Sequence, residues 1–355
     1  MKKWSSLVLA LCLLFAGTAG GEGAFEAAKE AYDAKEYGKA LEGFLEAKEK
    51  GVAEASDYLE RMVEDYIISE DYELYPVFEY GPEIDPDQEW PETLECGDYS
   101  YIVLEDGTAE IFSYLGEGGA AVIPDEVDGR RVTRIGEKAF RSHRTITSVT
   151  IPEGVTEIGE DAFFNCFALE SVTIPQSVKS IGEYAFYHCS ALASVTIPEG
   201  VTRIESDTFS RCGSLTSIVI PDGVEVIGKG AFCDCKALTS VTIPDSVRKI
   251  RDGAFNGCEA LASVTIPEGV TWIGKMAFYN CYALTSVTIP ESMTSLNDSV
   301  FSRCYSLTSV TVPASVTSIG EHVFREDEAL TVRAPAGSAA EEYCRENGIR
   351  FERLE

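Results

Sequence analysis

Basic residues are scarce, histidine is nearly missing, and no apolar stretch after residue 16 is long enough to cross a membrane. The 29 Lys and Arg face 59 Asp and Glu, a formal charge of −30. Affinity for phosphate backbones rests on clustered cations, so nucleic acid is excluded as a partner. The three histidines, His143, His188 and His322, lie far apart in the chain. A nucleophile, a base and an orienting group therefore have no common place to converge. There is no glycine-rich phosphate loop and no metal-ligand spacing. The residues predict a non-catalytic protein without metal or cofactor.

What is present begins with an export signal. Met1-Lys2-Lys3, the apolar run Leu7 to Ala16 and the small residues Gly17-Thr18-Ala19 have the three regions of a secretory signal peptide, with cleavage expected after Ala19. An apolar run of ten residues is short of the about 20 that a spanning helix needs. Cys12 lies behind Leu11, without the small residue that precedes a lipidated cysteine. A secreted or cell-surface product with no membrane insertion after cleavage is predicted. The composition, 45% hydrophobic and 25% charged, is that of a folded chain. Acidity is uneven: residues 20–95 hold 23 acids against 6 bases, and residues 96–355 hold 36 against 21. This keeps the chain soluble and repels anionic surfaces.

A fixed period decides the fold ahead of local propensity. Ile-Pro or Val-Pro recurs every 23 residues at Ile151, Ile174, Ile197, Ile220, Ile243, Ile266, Ile289 and Val312. Phenylalanine keeps the same step from Phe140 to Phe324, and cysteine from Cys166 to Cys304. Within one unit, Leu169, Val172 and Ile174 point to one side of a short strand while Ser171 and Thr173 point to the other. Pro175 closes the strand because it has no N–H for the ladder. Val178 and Ile181 allow a second short strand, Gly182 permits a corner, and Ala185, Phe186 and Cys189 suit one inward-facing helical turn. A lone coil cannot bury these side chains. Stacked coils can, at roughly 1.5–3 kcal/mol per large apolar side chain, so a right-handed parallel repeat solenoid is predicted.

The unit Leu-x-Ser-Val-Thr-Ile-Pro-x-x-Val-x-x-Ile-Gly-x-x-Ala-Phe-x-x-Cys, from Ile146 to Phe324, resembles the BspA-type leucine-rich repeat of bacterial surface proteins. Tyr101 to Ile111, with Ile123-Pro124 and Val127-Asp128-Gly129, is similar to the entry β-hairpin of that family, and Ala336 to Phe351 to its closing helix and last strand. The resemblance implies an N-terminal cap over 96–130, repeats over 131–333 and a C-terminal helix cap over 334–355. It also implies extracellular recognition or adhesion. Before the repeats, Ala28, Tyr32, Tyr37, Ala40-Leu41, Phe44 and Ala47 recur at helical spacing, Gly51 interrupts, and Ala55 to Met62 resumes. Residues 20–70 thus resemble a single tetratricopeptide or Sel1-like α-helical hairpin, readable as a packed spacer or as a partner groove. Residues 71–95, with four prolines among nine acids, read as an extended acidic linker.

Ten cysteines remain after signal cleavage, an even number that in an exported chain suggests disulfides. Spacing argues otherwise. Equivalent positions in successive coils stack about 4.8 Å apart with parallel side-chain vectors, which suits a disulfide poorly. The seven repeat cysteines are predicted to be buried, reduced hydrophobes, with His143 and Asp327 continuing their column in the first and last coils. Cys233, off that column, is predicted to be the exposed thiol.

Outward strand positions form a row of serines from Ser148 to Ser309 beside a row of threonines from Thr150 to Thr311, broken by Val219. Such a face serves β-propensity and solubility or a repetitive ligand site. Variation carries specificity, and toward the C-terminal half the variable positions become aromatic: Trp272, Tyr279, Tyr282 and Tyr305. If they share one side they form a binding patch for a protein or glycan ligand. A structural spacer docked to an envelope partner through residues 20–70 is the other reading the residues allow.

Overall fold

The computed structural model describes residues 91–354 and, before them, the helical positions Ala27–Lys29, Ala40, Phe44 and Ala47–Lys48. Met1–Glu89 and Trp90–Glu355 form separate compact units. In the first unit Ala28, Ala40, Phe44 and Ala47 are buried. The pairing of two helices over 20–70, the signal peptide over 1–19 and the linker over 71–95 lie outside the described residues.

The second unit is a parallel solenoid in which each 23-residue coil contributes to two ladders. In the first, Ser148, Val149 and Thr150 pair in register with Ser171, Val172 and Thr173, and Ser217–Val219 with Ser240–Thr242. In the second, Glu157 and Ile158 pair with Ser180 and Ile181, and Lys249 and Ile250 with Trp272 and Ile273. Inward residues are buried and the flanking Ser and Thr exposed, the period of two expected of a half-buried strand. The parallel stacking extends beyond 131–333 at both ends. Ala109–Tyr114 already pairs parallel with Arg130–Ile135, and Thr331–Pro335 pairs parallel with Arg350–Leu354. Three antiparallel strands precede, Leu94–Cys96, Tyr99–Val103 and Ala109–Tyr114. The helix Ala339–Asn347 starts on Ser338, whose hydroxyl accepts from the Glu341 N–H, and stops at Gly348 with φ 70°.

The core is built around a column of phenylalanine rings. Phe163, Phe186, Phe209, Phe232, Phe255, Phe278 and Phe301 are fully buried, with successive centroids 5.1 to 5.6 Å apart and planes within 9° of parallel. Tyrosines close the column: Tyr114 stacks on Phe140 at 5.2 Å, and Tyr343 meets Phe324 edge-on at 6.0 Å. Beside it each ladder thiol donates to the carbonyl of the phenylalanine 26 residues earlier, as in Cys189 Sγ to Phe163 O at 3.2 Å and Cys258 Sγ to Phe232 O at 3.2 Å. That donor favours cysteine over alanine or valine: it fills the corner and gives a second donor to a carbonyl that already accepts the N–H of its own coil's cysteine, as Phe163 O does from Cys166 N at 3.2 Å.

One local expectation is corrected. The segment around Phe186 is not a helical turn. Tyr187 N bonds back to Tyr184 O at 2.9 Å, whereas Phe186 N and His188 N bond forward to Thr208 O and Ser210 O of the next coil at 2.9 and 2.8 Å. Alternation between local and inter-coil bonds requires two left-handed residues per coil, Tyr184 (φ 55°) and His188 (φ 56°) in this one. Gly182 also acts differently from the corner expected of it: a Cβ there would lie 2.6 Å from Glu160 N, so the residue permits close approach between coils.

Candidate functional site

The ladders and turns position three sets of outward side chains. On the first-ladder side Ser171, Thr173, Ser240 and Thr242 are exposed, and Val219 is 66% exposed in their midst. The adjoining threonines are occupied structurally. Thr239 and Thr308 hydroxyls donate to the carbonyls of Thr216 and Thr285 in the preceding coil at 3.0 and 3.2 Å.

The four aromatic residues picked out by variation do not form one set. Trp272 stands on the second ladder, next in register to Lys249, and is 43% exposed. Tyr279 follows in the turn segment of the same coil and is half-buried, with the Arg303 guanidinium 5.6 Å from its ring centre. Tyr282 and Tyr305 occupy equivalent positions in successive coils, and their rings stack at 5.2 Å. Tyr305 is 51% exposed and its hydroxyl donates to Glu326 Oε2 at 3.3 Å. Glu326 also takes Arg303 Nε at 3.2 Å. The structure thus groups Tyr279, Tyr282 and Tyr305 along the turn segment and leaves Trp272 on the ladder with other neighbours. A groove of about 560 Å³ there is lined by Lys229, Lys249, Arg251, Asp252, Thr271 and Trp272.

A second aromatic group, toward the N-terminal coils, escaped the sequence reading. Phe164 and Tyr187 stack at 4.8 Å in the turn column that later holds Tyr279, and the Arg141 guanidinium lies 4.5 Å over Phe164. Phe167, in the column of Tyr282, meets His188 edge-on at 4.4 Å. The same departure from small residues that marks Tyr279 and Tyr282 marks these.

The titratable groups are arranged for packing. His188 is buried, with Nδ1 3.1 Å from Asn165 Oδ1; burial pushes its pKa down to about 3, and the neutral ring donates through Nδ1. His143 sits edge-on to Tyr114 at 4.8 Å, and burial lowers its pKa. Asp161 is buried against Arg141 at 2.5 Å. Among the described residues no three His, Cys, Asp or Glu side chains are grouped to hold a metal ion.

The ten described cysteines are free, and the seven ladder thiols are fully buried. Cys233 departs from the expectation of an exposed thiol. It is only partly accessible, as Cys96 is, and burial pushes its pKa up to about 12. Little thiolate exists there at neutral pH, and the thiolate is the reactive form. Maleimide labelling of the native protein should therefore modify Cys233 slowly and the seven ladder thiols only on unfolding. Mass spectrometry finding native-state label on Cys212 or Cys258 ahead of Cys233 would contradict this burial.

The description "BspA type Leucine rich repeat region" matches in six copies over residues 126–239 and 225–339. A leucine-rich cell surface protein of Faecalibacterium prausnitzii A2-165 is similar in crystal structure, with 34% sequence identity, a TM-score of 0.58, and coverage of 69% of this chain and 76% of that one. A leucine-rich repeat protein of Bacteroides ovatus shares 24% identity over 74% of this chain and all of its own, with a TM-score of 0.51. None of the curated proteins matches the chain.

Proposed function

Because the chain belongs to the BspA-type leucine-rich repeat family, we propose that it is a non-catalytic recognition or adhesion protein, secreted or held at the cell surface, that binds a protein or glycan through the outside of its solenoid. The observation that carries this reading is the contrast between inside and outside. From coil to coil the Phe and Cys columns are constant and buried, so they keep the fold. Some departures from the repeat are buried, as His188 and Asp327 are, but Tyr279, Tyr282 and Tyr305 depart at positions with solvent access, outside the column. The stacked pair Tyr282 and Tyr305, with Tyr279, Arg303 and Glu326 beside it, is the fullest such departure on the turn side. Aromatic rings and arginine are the residue types that dominate binding energy at interfaces. The likeness to a cell surface protein supports the location.

The test compares the full chain with a fragment over residues 90–355 on protein and glycan arrays. Both are expected to retain the same ligand. The double variant Tyr282→Ala, Tyr305→Ala should lose about 1–3 kcal/mol of binding free energy with its unfolding midpoint unchanged. Retention by the full chain but not by the fragment would transfer the binding function to residues 20–89 and defeat the proposal.

A further inference from the structure

We propose that the groove around Trp272 binds an acidic oligosaccharide, one carrying a carboxylate on every sugar or every second sugar; the assignment rests on the recognition role argued above. The first observation is charge against the grain. In a solenoid dominated by acids, Lys229, Lys249 and Arg251 converge on one groove of about 560 Å³. Most solenoid cations are spoken for, as in Arg203 with Glu205, Lys236 with Glu259 and Lys275 with Asp298. None of Lys229, Lys249 and Arg251 forms an ion pair within 4.0 Å among the described residues, although Lys229 lies near enough to Asp207 to act on its carboxyl. The one acid lining the groove, Asp252, turns its Oδ1 to the Lys275 backbone N–H at 2.9 Å and keeps its charge, so the lining carries three cations against one anion. Unpaired cations facing a groove favour an anionic occupant.

The second observation is the indole. Trp272 is 43% exposed and is next in ladder register to Lys249, which places a flat apolar face beside an ammonium group and a guanidinium. A ring with one carbon-rich face and a carboxylate at its edge complements that pair: the face lies on the indole and the carboxylate takes Arg251 through its planar fork. A densely sulfated chain suits the site less well. Its greater charge per sugar meets more repulsion from an acid-rich solenoid than one carboxylate on every sugar or every second sugar does. An acidic peptide would use the cations and leave the indole without a matching ring.

Tetragalacturonate is the probe, titrated into the chain lacking residues 1–19 and carrying Trp90→Phe, so that Trp272 is its one indole. Saturable quenching of Trp272 emission is expected, weakened at least about tenfold by Lys249→Glu with Arg251→Glu and by a rise from 0.05 to 0.5 M salt, both approximate figures for an exposed charge-assisted site. Because Lys249 and Arg251 are exposed, that variant should keep its circular dichroism and unfolding midpoint. The fully methyl-esterified tetrasaccharide, with the same rings and no charge, should bind far more weakly. Absence of quenching, equal binding of the ester, unchanged affinity in the charge-reversed variant, or tighter binding of polyglutamate would each overturn the proposal. In any of those cases the recognition role still stands if the solenoid keeps its array ligand and the Tyr282, Tyr305 variant loses it.

Discussion

Replacing Phe232 by alanine should cost about 3–5 kcal/mol of stability, the range for truncating a buried aromatic side chain. Its ring is fully buried between those of Phe209 at 5.6 Å and Phe255 at 5.3 Å, within 8° of parallel to both. No side chain can move along the column to fill the gap, because each neighbouring ring is fixed in its own coil by the same ladders. In a solenoid each coil touches only its neighbours, so the loss falls on two interfaces at once. The unfolding curve in urea should shift to lower midpoint and broaden as the N- and C-terminal halves separate. Phe232→Leu keeps most of the volume and should cost about a third as much. A loss below about 0.5 kcal/mol for the alanine variant would contradict the column's role. Cys258→Ala, which removes the thiol donated to Phe232 O, is the milder comparison at about 1 kcal/mol.

The constant positions of this chain were legible in its sequence because each answers to one strong constraint. Phe186 at a 23-residue step can be satisfied only by burial against its copies, and Pro175 after Ile174 only by the end of a strand. The left-handed pairs were not legible. Lys138, Tyr184, Met276 and His322 hold φ between 55° and 61° in one column where glycine appears only as Gly230 and Gly253. No residue preference announces them; they follow from N–H groups that must reach carbonyls of the next coil, so tertiary bonding overrides the local cost. The candidate site was legible as residue types and illegible as a grouping. Trp272 and Tyr279 are seven residues apart, but a ladder and a turn segment separate them within one coil. Variation also pointed away from Lys229 and Arg251, since single lysines and arginines are ordinary on a surface until a fold shows that they lack partners.

Stability should fall as pH rises from about 4 to about 8, and Asp327 is the main cause. It occupies the ladder column one coil after Cys304, is 6% exposed, and neither carboxylate oxygen completes a hydrogen bond. Burial pushes its pKa up to about 8; the nearby Cys304 backbone N–H, short of a full hydrogen bond, tempers the shift and the charge of Glu326 adds to it. The unfolded carboxyl titrates near about 3.9, so the folded form binds the proton more tightly than the unfolded one. A raised acid contributes its full stability below the unfolded pKa and loses it as pH climbs to the folded pKa. The slope between those limits is up to about 1.4 kcal/mol per pH unit. The ladder supplies the structural reason. Every thiol in this column donates to the phenylalanine carbonyl 26 residues earlier, as Cys304 does to Phe278 O at 3.2 Å. The corresponding carbonyl for position 327 is that of Phe301, and only a protonated carboxyl has a hydrogen to give it. Asp327→Cys should therefore be more stable than the natural chain at pH 8, nearly equal to it at pH 4, and flatter between. Burial also raises the pKa of Asp161, Asp207 and Glu110, but both chains share that contribution and it cancels in the comparison. Urea unfolding at pH 4, 6 and 8, with amide exchange over residues 324–354 to register opening of the last coils, decides the matter. Parallel pH profiles for the two chains would show that Asp327 ionises in place without cost.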